Sequence, residues 1–356
     1  MNIIFLIPKL DNTGPVKGTI ALAELLSNYY KIKIIFFKEN NVPKLIQNKN
    51  ITINTLENKK TFLKKIISLR FLIKKMKSKN KEKVILITQA FSADLISLFT
   101  IDLIPRIVSV RGNLFLNYFF TYKFWGFLLA ILHLNLMRFS SRIIVMHNLM
   151  KKQVSFYTNR TPTVIANFIN EKELSEYFIP NIDKTKPLKF VFVGGLQKRK
   201  NPMLLLKSFS QISNKIDASL HFLGDGPLFN KLQNYIELNN LENKVILHGF
   251  QDNPYKIMSN SDLLVLPSFS EGTSRAALES LFLGVPCILK NVDSNNELLR
   301  PEFDNGSIFN KDIDLPYIML FECLKSRRRD KRKNLLPMNY RQTSVKNKYR
   351  QLIDEI

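Results

Sequence analysis

Short apolar runs alternate with helical patterns along the whole chain, and the alternation restarts once. In the first series, a turn region at Asp11–Gly18 and longer amphipathic stretches separate runs with the character of buried strands. The predicted elements of this series are strands Ile3–Ile7, Lys31–Phe37, Val84–Thr88, Arg106–Val110 and Arg142–Met146, with a helix over Ile20–Leu26. Strands that alternate with helices indicate a mostly parallel sheet covered on both faces.

A break without periodicity separates the two series. Pro180, Asp183 and Pro187 interrupt the pattern between Ser175 and Lys189, and the alternation then resumes. The second series predicts strands Phe190–Val193, Ser219–Leu223, Lys244–Leu247, Leu263–Leu266 and Pro286–Leu289, and helices Pro202–Ile212, Leu228–Leu238 and Ser274–Leu283. The sequence therefore predicts an α/β chain of two Rossmann-like, doubly wound domains facing across a cleft, with ligands beyond the carboxyl ends of the strands.

The domain boundaries are placed around this break. We predict an N-terminal domain at residues 1–175, a linker at 176–188 and a C-terminal domain at 189–338. The pattern of Tyr340–Ile356 predicts a closing helix, and we expect residues 339–356 to pack back on the N-terminal domain. A chain of 356 residues, 45% of them hydrophobic, is long enough for two cored domains. Its two cysteines, Cys287 and Cys323, lack metal-type spacing, which favours a reducing compartment over a disulfide framework.

Positive charge is concentrated in two runs of the sequence. The formal net charge is +24, and Lys59–Lys83 holds eleven basic residues and one acid, interleaved with apolar side chains. A second run, Lys325–Lys333, holds seven basic residues and one acid. Such charge attracts anionic membrane surfaces or nucleic acid. A solvated helix face is the alternative interpretation of either run.

The most apolar stretches do not have the pattern of a signal peptide or a membrane span. The run Met1–Pro8 is short and is followed by Lys9 and Asp11, so it indicates a first buried strand. The stretch Trp125–Met137 falls well short of the roughly 20 residues that span a bilayer. We therefore expect a chain that is not integral to a membrane.

The segment Leu263–Leu289 has the strongest chemical pattern in the sequence. A buried strand leads into a polar loop with Glu271, and the small residues Gly272, Thr273 and Ser274 precede the predicted helix that contains Glu279. Backbone N–H groups at a helix N-terminus suit a phosphate, and a carboxylate nearby can accept hydrogen bonds from the vicinal hydroxyls of a ribose. The alternative is that the two glutamates are a helix N-terminal acid and a surface carboxylate.

This segment resembles the donor-site signature of glycosyltransferase family 4, retaining enzymes of the GT-B fold that use nucleotide-sugars. The family's pair of glutamates eight residues apart matches Glu271 and Glu279. The other matching motifs, in order, are Asn167, Val193–Asn201, Gly224–Pro227, Gly249-Phe250 and Gly284-Val285-Pro286. The resemblance is strong over Lys189–Leu299 and weak in the first domain.

The resemblance implies roles for individual residues. Glu279 would bind the ribose, Glu271 the hydroxyls of the donor sugar, and Lys200 the diphosphate leaving group. Further donor-binding positions would be Gly272, Thr273, Ser274, Gly194, Gly195, Gly224, Gly226 and Asn167. The family usually has an arginine at the position of Gly195, and Lys198, Arg199 or Arg275 are the candidates to replace it.

In the first domain the resemblance points to residues near the ends of strands. Gly14 matches one glycine of a pair in the loop after the first strand, and Pro15 stands where the second would be. Arg111 follows Arg106–Val110 and could bind phosphate or acceptor, with a structural ion pair equally open. His147 follows another strand, and a structural role is the simpler interpretation for it.

Several other chemistries lack their patterns in this sequence. Asp312-Ile313-Asp314 resembles an Asp-x-Asp metal motif but lies outside a nucleotide-binding strand, so we predict a surface loop, no metal and no cofactor. Neither a zinc motif nor a Walker lysine loop is present. A glycosidase needs two carboxylates about 5–10 Å apart, and the motif offers Glu271 no such partner.

We therefore expect a glycosyltransferase of surface polysaccharide synthesis, such as O-antigen, lipopolysaccharide or capsule. Its partners would be a UDP- or GDP-linked sugar and a glycan or polyprenyl-linked acceptor. It would act in the cytoplasm on the cytoplasmic face of the inner membrane, with Lys59–Lys83 and the aromatic stretch Leu114–Leu136 docking on anionic lipid. The alternatives are a nucleotide-sugar epimerase or phosphorylase on the same fold, and a nucleic-acid-binding protein, although no nucleic-acid module is present.

Overall fold

The computed structural model describes residues 1–10, 14–39, 48–56, 61–80, 82–328 and 330–356. It divides the chain into two compact units. Unit 1 comprises Met1–Phe168 and Gln342–Ile356, and unit 2 comprises Ile169–Arg341. The predicted linker, residues 176–188, lies within unit 2, and the closing helix, Gln342–Asp354, lies within unit 1.

Unit 1 contains a parallel sheet with the strand order β3-β2-β1-β4-β5-β6-β7. Its strands are β1 (Asn2–Leu10), β2 (Lys31–Glu39), β3 (Ile51–Thr55), β4 (Val84–Thr88), β5 (Arg106–Ser109), β6 (Arg142–Val145) and β7 (Thr163–Val164). Its helices are α1 (Gly14–Leu26), α2 (Phe62–Asn80), α3 (Phe91–Ser97), α4 (Leu114–Tyr122), α5 (Phe124–Met137), α6 (Asn148–Thr158) and α14 (Gln342–Asp354). The predicted alternation thus produces a doubly wound sheet.

The two faces of this sheet bury alternate residues of the same strand. In β1, Ile3 and Phe5 join a core cluster that contains residues of α1 and α14. Ile4 and Leu6 join a second cluster that contains residues of α2 and α3. Successive side chains of a strand point to opposite faces, so a strand buried on both sides is a continuous apolar run.

Unit 2 contains a second parallel sheet, with the order β10-β9-β8-β11-β12-β13. Its strands are β8 (Leu188–Val193), β9 (Ala218–Leu223), β10 (Val245–Leu247), β11 (Leu263–Leu266), β12 (Cys287–Lys290) and β13 (Gly306–Phe309). Its helices are α7 (Glu171–Ser175), α8 (Pro202–Ile212), α9 (Phe229–Leu238), α10 (Tyr255–Ser259), α11 (Arg275–Phe282), α12 (Asn295–Leu298) and α13 (Leu315–Arg328). The strand order reverses between β8 and β11, which is where such sheets bind ligands.

Two local predictions are wrong. Residues 14–18 of the predicted turn region form the first turn of α1, while residues 11–13 lie outside the described residues. A helix tolerates Gly14 and Pro15 there, because its first N–H groups have no intrahelical partner anyway. The predicted surface loop Asp312–Asp314 is a short 3-10 helix.

Candidate functional site

The loops that follow β8 and β11 lie at the same edge of the unit 2 sheet. These strands are parallel neighbours, with Phe190 opposite Leu263 and Val191 opposite Leu264. The chain leaves β8 through residues 194–201 and leaves β11 through residues 267–274. Both loops therefore meet at the switch point of the sheet.

Lys200 and Glu271 form an ion pair between the two loops. Lys200 Nζ donates a hydrogen bond to Glu271 Oε1 at 2.5 Å, and both side chains are largely shielded from solvent. Burial opposes ionisation of the Glu271 carboxyl, but the positive charges of Lys200 and Arg199 outweigh burial and hold its pKa below the ordinary value. The structure thus brings together two residues that the sequence predicts as catalytic, with Glu271 ionised at neutral pH.

Arg199 lies in the same cluster. Its Nη1 is 3.8 Å from Glu271 Oε2 and donates a hydrogen bond to the Ser270 carbonyl oxygen at 2.5 Å. The backbone is also engaged, because Phe269 N donates to the Arg199 carbonyl oxygen at 2.8 Å. Of the three candidates to replace an arginine at Gly195, Arg199 is the one in contact with Glu271, whereas Lys198 is exposed.

Glu279 lies in the second turn of α11 and is 7% exposed. Its Oε1 accepts hydrogen bonds from Arg275 Nη2 at 3.2 Å and from Tyr255 Oη at 3.4 Å. Ser274 is the N-cap of α11, and its side chain accepts a hydrogen bond from Ala277 N at 3.4 Å. Arg275 therefore belongs with Glu279 rather than with the Lys200–Glu271 pair.

Glycines let neighbouring loops approach each other at the carboxyl ends of β8 and β9. Gly224 has φ +152°, and a Cβ added there would lie 2.0 Å from the Gly194 carbonyl oxygen. Gly194 N in turn donates to the Leu223 carbonyl oxygen at 2.9 Å. This close packing requires glycine at position 224 and exposes backbone rather than side chains beside Lys200.

Asp293 is a site residue that sequence reasoning missed. Its Oδ2 accepts hydrogen bonds from Ser270 Oγ at 2.8 Å and from Glu271 N at 2.9 Å, and its backbone is left-handed with φ +46°. The next residue, Ser294, donates to the Gly272 carbonyl oxygen at 2.6 Å. Both residues follow β12, so polar residues after a buried strand were the available signal.

The unit 1 candidates differ in their surroundings. Within the described residues, Nε and Nη2 of Arg111 are buried and have no hydrogen-bond partner. His147 caps α6, where its Nδ1 accepts a hydrogen bond from Met150 N at 3.3 Å, which is a structural role. Asn167 Oδ1 accepts from Phe168 N at 3.1 Å. Gly14 begins α1, and nothing lies within 4 Å of a Cβ added there.

The Asp312–Asp314 segment is held by surface contacts. Asp312 pairs with Lys290 at 2.7 Å, and the Asp314 side chain caps its own 3-10 helix. Across the part of the chain that the structure describes, no group of three or more His, Cys, Asp or Glu could hold a metal ion. Independence from metals and cofactors stays a prediction.

The sequence of unit 2 matches a known family over the loops just described. The family is described as glycosyl transferases group 1, and the match extends over residues 173–314. Residues 173–314 are thus similar to this family. The matched region includes both loops at the switch point and the Lys200–Glu271 pair.

Two bacterial glycosyltransferases are among the curated relatives of the chain. An Escherichia coli UDP-Gal:alpha-D-GlcNAc-diphosphoundecaprenol alpha-1,3-galactosyltransferase is 35% identical over 190 residues, 49% of each chain. A Campylobacter jejuni GalNAc-alpha-(1->4)-GalNAc-alpha-(1->3)-diNAcBac-PP-undecaprenol alpha-1,4-N-acetyl-D-galactosaminyltransferase is 26% identical over 296 residues, 80% of this chain and 78% of that one. The chain thus spans about half the length of the first of these relatives.

A solved structure shares the fold along the full length. The Anabaena protein Alr3699/HepE, crystallised in complex with UDP, has a TM-score of 0.75 at 16% identity and covers 100% of both chains. At this identity the likeness concerns the fold. The two parallel Rossmann-like sheets of the chain have the GT-B fold.

Proposed function

We propose that this chain is a retaining glycosyltransferase that transfers a sugar from a nucleotide-sugar to a glycan or lipid-linked saccharide acceptor in surface polysaccharide synthesis. The observation that carries the proposal is the Lys200–Glu271 pair at the switch point, with Arg199 beside it. Support comes from the group 1 match and from relatives that use UDP-Gal or act on diphosphoundecaprenol-linked saccharides. We infer a UDP- or GDP-linked donor and no metal.

The donor site would work through fixed charge. As the glycosidic bond of the donor breaks, negative charge builds on the departing diphosphate, and cations already in place stabilise this state more than the ground state. Lys200 has three N–H donors, so it can keep its bond to Glu271 and still donate to a phosphate oxygen. Arg199 would supply the second cation, in place of the arginine that the family usually has at the position of Gly195.

The two glutamates would divide the rest of the donor. Glu271, held by Asp293 through its backbone N–H, would accept hydrogen bonds from hydroxyls of the transferred sugar. Glu279 would accept hydrogen bonds from the ribose hydroxyls. Arg275 and Tyr255 bond to one of its oxygens, Oε1, and so orient the carboxylate. The small residues before α11 would present N–H groups to the diphosphate.

On the acceptor side, Arg111 is the residue best suited to a phosphate. It follows β5 at the carboxyl edge of the unit 1 sheet, and two of its guanidinium nitrogens are buried without a partner among the described residues. A buried cationic donor without a partner costs free energy unless a ligand satisfies it. We propose that Arg111 binds the diphosphate of a polyprenyl-linked acceptor.

Helix α2 supports the proposed contact with the cytoplasmic face of the inner membrane. Leu63, Ile67 and Phe71 lie four residues apart on one face of α2 and are 65%, 59% and 68% exposed. We call this row the α2 stripe. Lys64, Lys74 and Lys75 beside it are also exposed. An apolar row flanked by lysines suits an interface with anionic lipid better than a solvated face. Within the described residues, no helix is long and apolar enough to cross a bilayer.

A screen of nucleotide-sugars tests the donor proposal. We expect a UDP- or GDP-linked sugar to raise the melting temperature, and an added lipid-linked saccharide to be glycosylated with retention at the anomeric carbon, seen by NMR. If no nucleotide-sugar stabilises the protein, the donor site is misassigned. Conversion of the donor sugar to its epimer without an acceptor would instead favour an epimerase.

Vesicle binding tests the membrane proposal. Changing Lys64, Lys65, Lys74 and Lys75 to Glu should abolish co-sedimentation with vesicles that contain phosphatidylglycerol, because the helix would then be repelled. Donor-induced stabilisation should be unchanged, which controls for folding. Unaltered co-sedimentation would rule out docking through α2.

A further inference from the structure

A groove of about 460 Å³ lies at the amino ends of β5 and β6 in unit 1. It is at the opposite edge of the sheet from the carboxyl ends of the strands, and thus from Arg111. Two exposed arginines, Arg138 and Arg160, line it together with the buried Arg106, whose guanidinium donates to the carbonyl oxygens of Asp94 and Leu136 and to Ser97 Oγ. We call it the arginine groove. A second hollow of about 380 Å³, lined by Arg142 and Arg160, adjoins it.

The positive charge of the arginine groove is not neutralised by its own walls. Asp102 is the acid among its lining residues, and both of its oxygens are bound by Arg70 at 2.6 and 2.7 Å. Arg138 donates to the carbonyl oxygen of Tyr157 at 2.7 Å, and Arg160 to that of Ser140 at 2.5 Å. These acceptors are neutral, so the bonds fix the guanidinium groups in place and leave their charge available to an anion.

The surrounding sequence adds to this field. From Leu95 to Asn170 the chain has eight lysines and arginines and a single acid, Asp102. In the described part of the chain, neither Arg138 nor Arg160 forms an ion pair. A cluster of fixed guanidinium groups with adjacent backbone is suited to phosphate oxygens, which guanidinium binds through two parallel bonds.

The rim of the arginine groove is apolar and continuous with α2. Phe139 and Ile101 on the rim are 61% and 51% exposed. Arg70 of α2 holds Asp102, and Lys77 of α2 donates to the carbonyl oxygen of Leu103 at 2.8 Å, so two contacts tie the groove wall to α2. An apolar rim contributes nothing to the binding of a phosphate that is free in solution. A lipid phosphate, in contrast, lies beside acyl chains, which apolar side chains can contact.

We propose that the arginine groove binds the phosphate of an anionic phospholipid headgroup, while Phe139 and Ile101 enter the membrane interface beside the α2 stripe. The inference rests on the proposed membrane docking and deepens it, since it makes the docking selective for a phosphate-bearing headgroup.

The test compares variants of the full chain on phosphatidylcholine vesicles with and without phosphatidylglycerol. Arg138→Gln with Arg160→Gln should weaken binding to the anionic vesicles roughly thirtyfold, at about 1 kcal/mol for each basic residue near the surface. Lys152→Gln with Lys348→Gln removes the same charge from exposed positions of unit 1 away from the groove, and should change binding less than threefold. Arg138→Lys with Arg160→Lys keeps both charges but loses the paired guanidinium bonds, so its affinity should lie between those of the wild type and the Gln pair, which separates loss of charge from loss of folding.

Each other outcome overturns the assignment. Equal losses in the groove and control pairs would mean that net charge alone attracts the protein. Binding to glycerol 3-phosphate as tight as to vesicles, at equal phosphate concentration, would make the groove a site for a soluble phosphate. If the α2 glutamate variant loses vesicle binding but the groove variant keeps it, docking stands and the groove proposal fails. If the wild-type chain binds no vesicles, both fail, while donor-induced stabilisation still reports on the glycosyltransferase proposal.

Discussion

The Lys200–Glu271 pair shows how one contact can prepare two residues for different tasks. Each charge offsets the cost of burying the other, and the positive charge of Lys200 helps to hold the pKa of Glu271 below its ordinary value although little water reaches the pair. Asp293 fixes the backbone of Glu271, and Phe269 N bonds the carbonyl oxygen of Arg199. Both loops are thus held in place before any ligand arrives, which reduces the reorganisation needed during reaction.

The two glutamates should respond differently to the same change. Glu271→Gln should lower kcat roughly 100-fold or more, because its hydrogen bonds to the sugar would strengthen as the bond breaks. Glu279→Gln should mainly raise the donor Kd, by about tenfold or more, because a charged hydrogen bond is worth about 1.5–3 kcal/mol. Steady-state kinetics and calorimetric titration of the donor would separate the two effects. Equal, mild changes in both variants would mean that the roles are misassigned.

The three consecutive cations Lys198, Arg199 and Lys200 form an internal comparison. Lys200→Ala should lower kcat/KM roughly 100-fold or more, and Arg199→Ala roughly 10- to 100-fold, since each removes a charge beside the diphosphate. Lys198→Ala, at an exposed position, is the matched control and should change kcat/KM less than threefold. The kcat/KM values of the three variants would be measured with saturating acceptor, and their melting temperatures would be compared. A larger effect at Lys198 than at Arg199 would show that Arg199 does not replace the arginine missing at Gly195.

Which site residues the sequence could identify depended on motif spacing. Recognisable sequence motifs surround Glu271, Glu279 and Lys200, so the positions of these residues could be predicted. Asp293 could not, because it acts through a carboxylate–backbone bond between loops that only tertiary structure brings together. The partners of Arg199 and Arg275 were equally hidden. Arg199 contacts Ser270 and Glu271 on a loop far away in sequence, whereas Arg275 lies four residues from both Glu271 and Glu279, so spacing does not decide between them.

Among the elements, the turn after β9 depends on close backbone packing. Gly224→Ala would place a Cβ 2.0 Å from the Gly194 carbonyl oxygen at φ +152°. We expect a loss of at least about 3 kcal/mol of unfolding free energy and weaker donor binding, because the loop that contains Lys200 must move. Gly14→Ala, which meets no atom within 4 Å, is the control and should change stability by about 1 kcal/mol or less. Urea denaturation would compare them, and similar midpoints would contradict the packing argument.

Strands β9 and β10 bring two histidines into contact. His221 Nδ1 and His248 Nε2 lie 2.8 Å apart, and burial, with smaller effects of Lys189 and His248, lowers the pKa of His221 to about 4. In the unfolded chain this histidine binds a proton near pH 6.5, whereas in the folded chain it does so only near pH 4. The folded state therefore keeps its full stability above pH 6.5 and loses stability as the pH falls toward 4. The free energy of unfolding should fall by up to about 3 kcal/mol across this window.

Two variants test the histidine pair through stability measured from pH 7 to pH 4. His221→Gln should flatten the dependence, because the buried titrating group is gone. Ser219→Ala removes the hydroxyl 3.1 Å from His221 Nε2 but keeps the imidazole, and should retain the slope. A wild-type curve without slope in this window would refute the assignment.

The predicted elements agree best where strands are buried on both faces. Two strands, Val84–Thr88 and Leu263–Leu266, are observed with the predicted bounds, because a short continuous apolar run is typical of a strand buried on both faces. Edge strand β3 was not predicted, since several of its residues are exposed and its alternation is short. The aromatic stretch Leu114–Leu136 is two helices, α4 and α5, because Lys123 adopts φ 52° between them. Composition alone gives no sign of that turn.

For the molecule as a whole, the last helix belongs to unit 1, the unit that also contains residues 1–168. Val345, Tyr349, Leu352 and Ile353 of α14 are buried in the unit 1 core. Ending the chain after Arg341 should unfold unit 1, because burial of four such side chains contributes roughly 6–12 kcal/mol, comparable to the stability of a domain. Unit 2 should still melt cooperatively and still be stabilised by donor. Changing exposed Lys348 to Ala is the control, and a truncated chain with an intact unit 1 transition would contradict this prediction.

The position of the ion pair at a strand-order reversal also has a consequence for biosynthesis. Strands β8, β9 and β10 pair with neighbours in sequence, but β11 must return to β8, and Lys200 and Glu271 are 71 residues apart. Closing so long a segment is slow relative to local pairing. A ribosome-bound chain that has emerged only as far as β10 would therefore hold half of the phosphate-binding loops and no partner for Lys200. Competence to bind the sugar donor would arrive only when β11, α11 and the loop with Asp293 have docked, and would serve as a marker that unit 2 has folded that far.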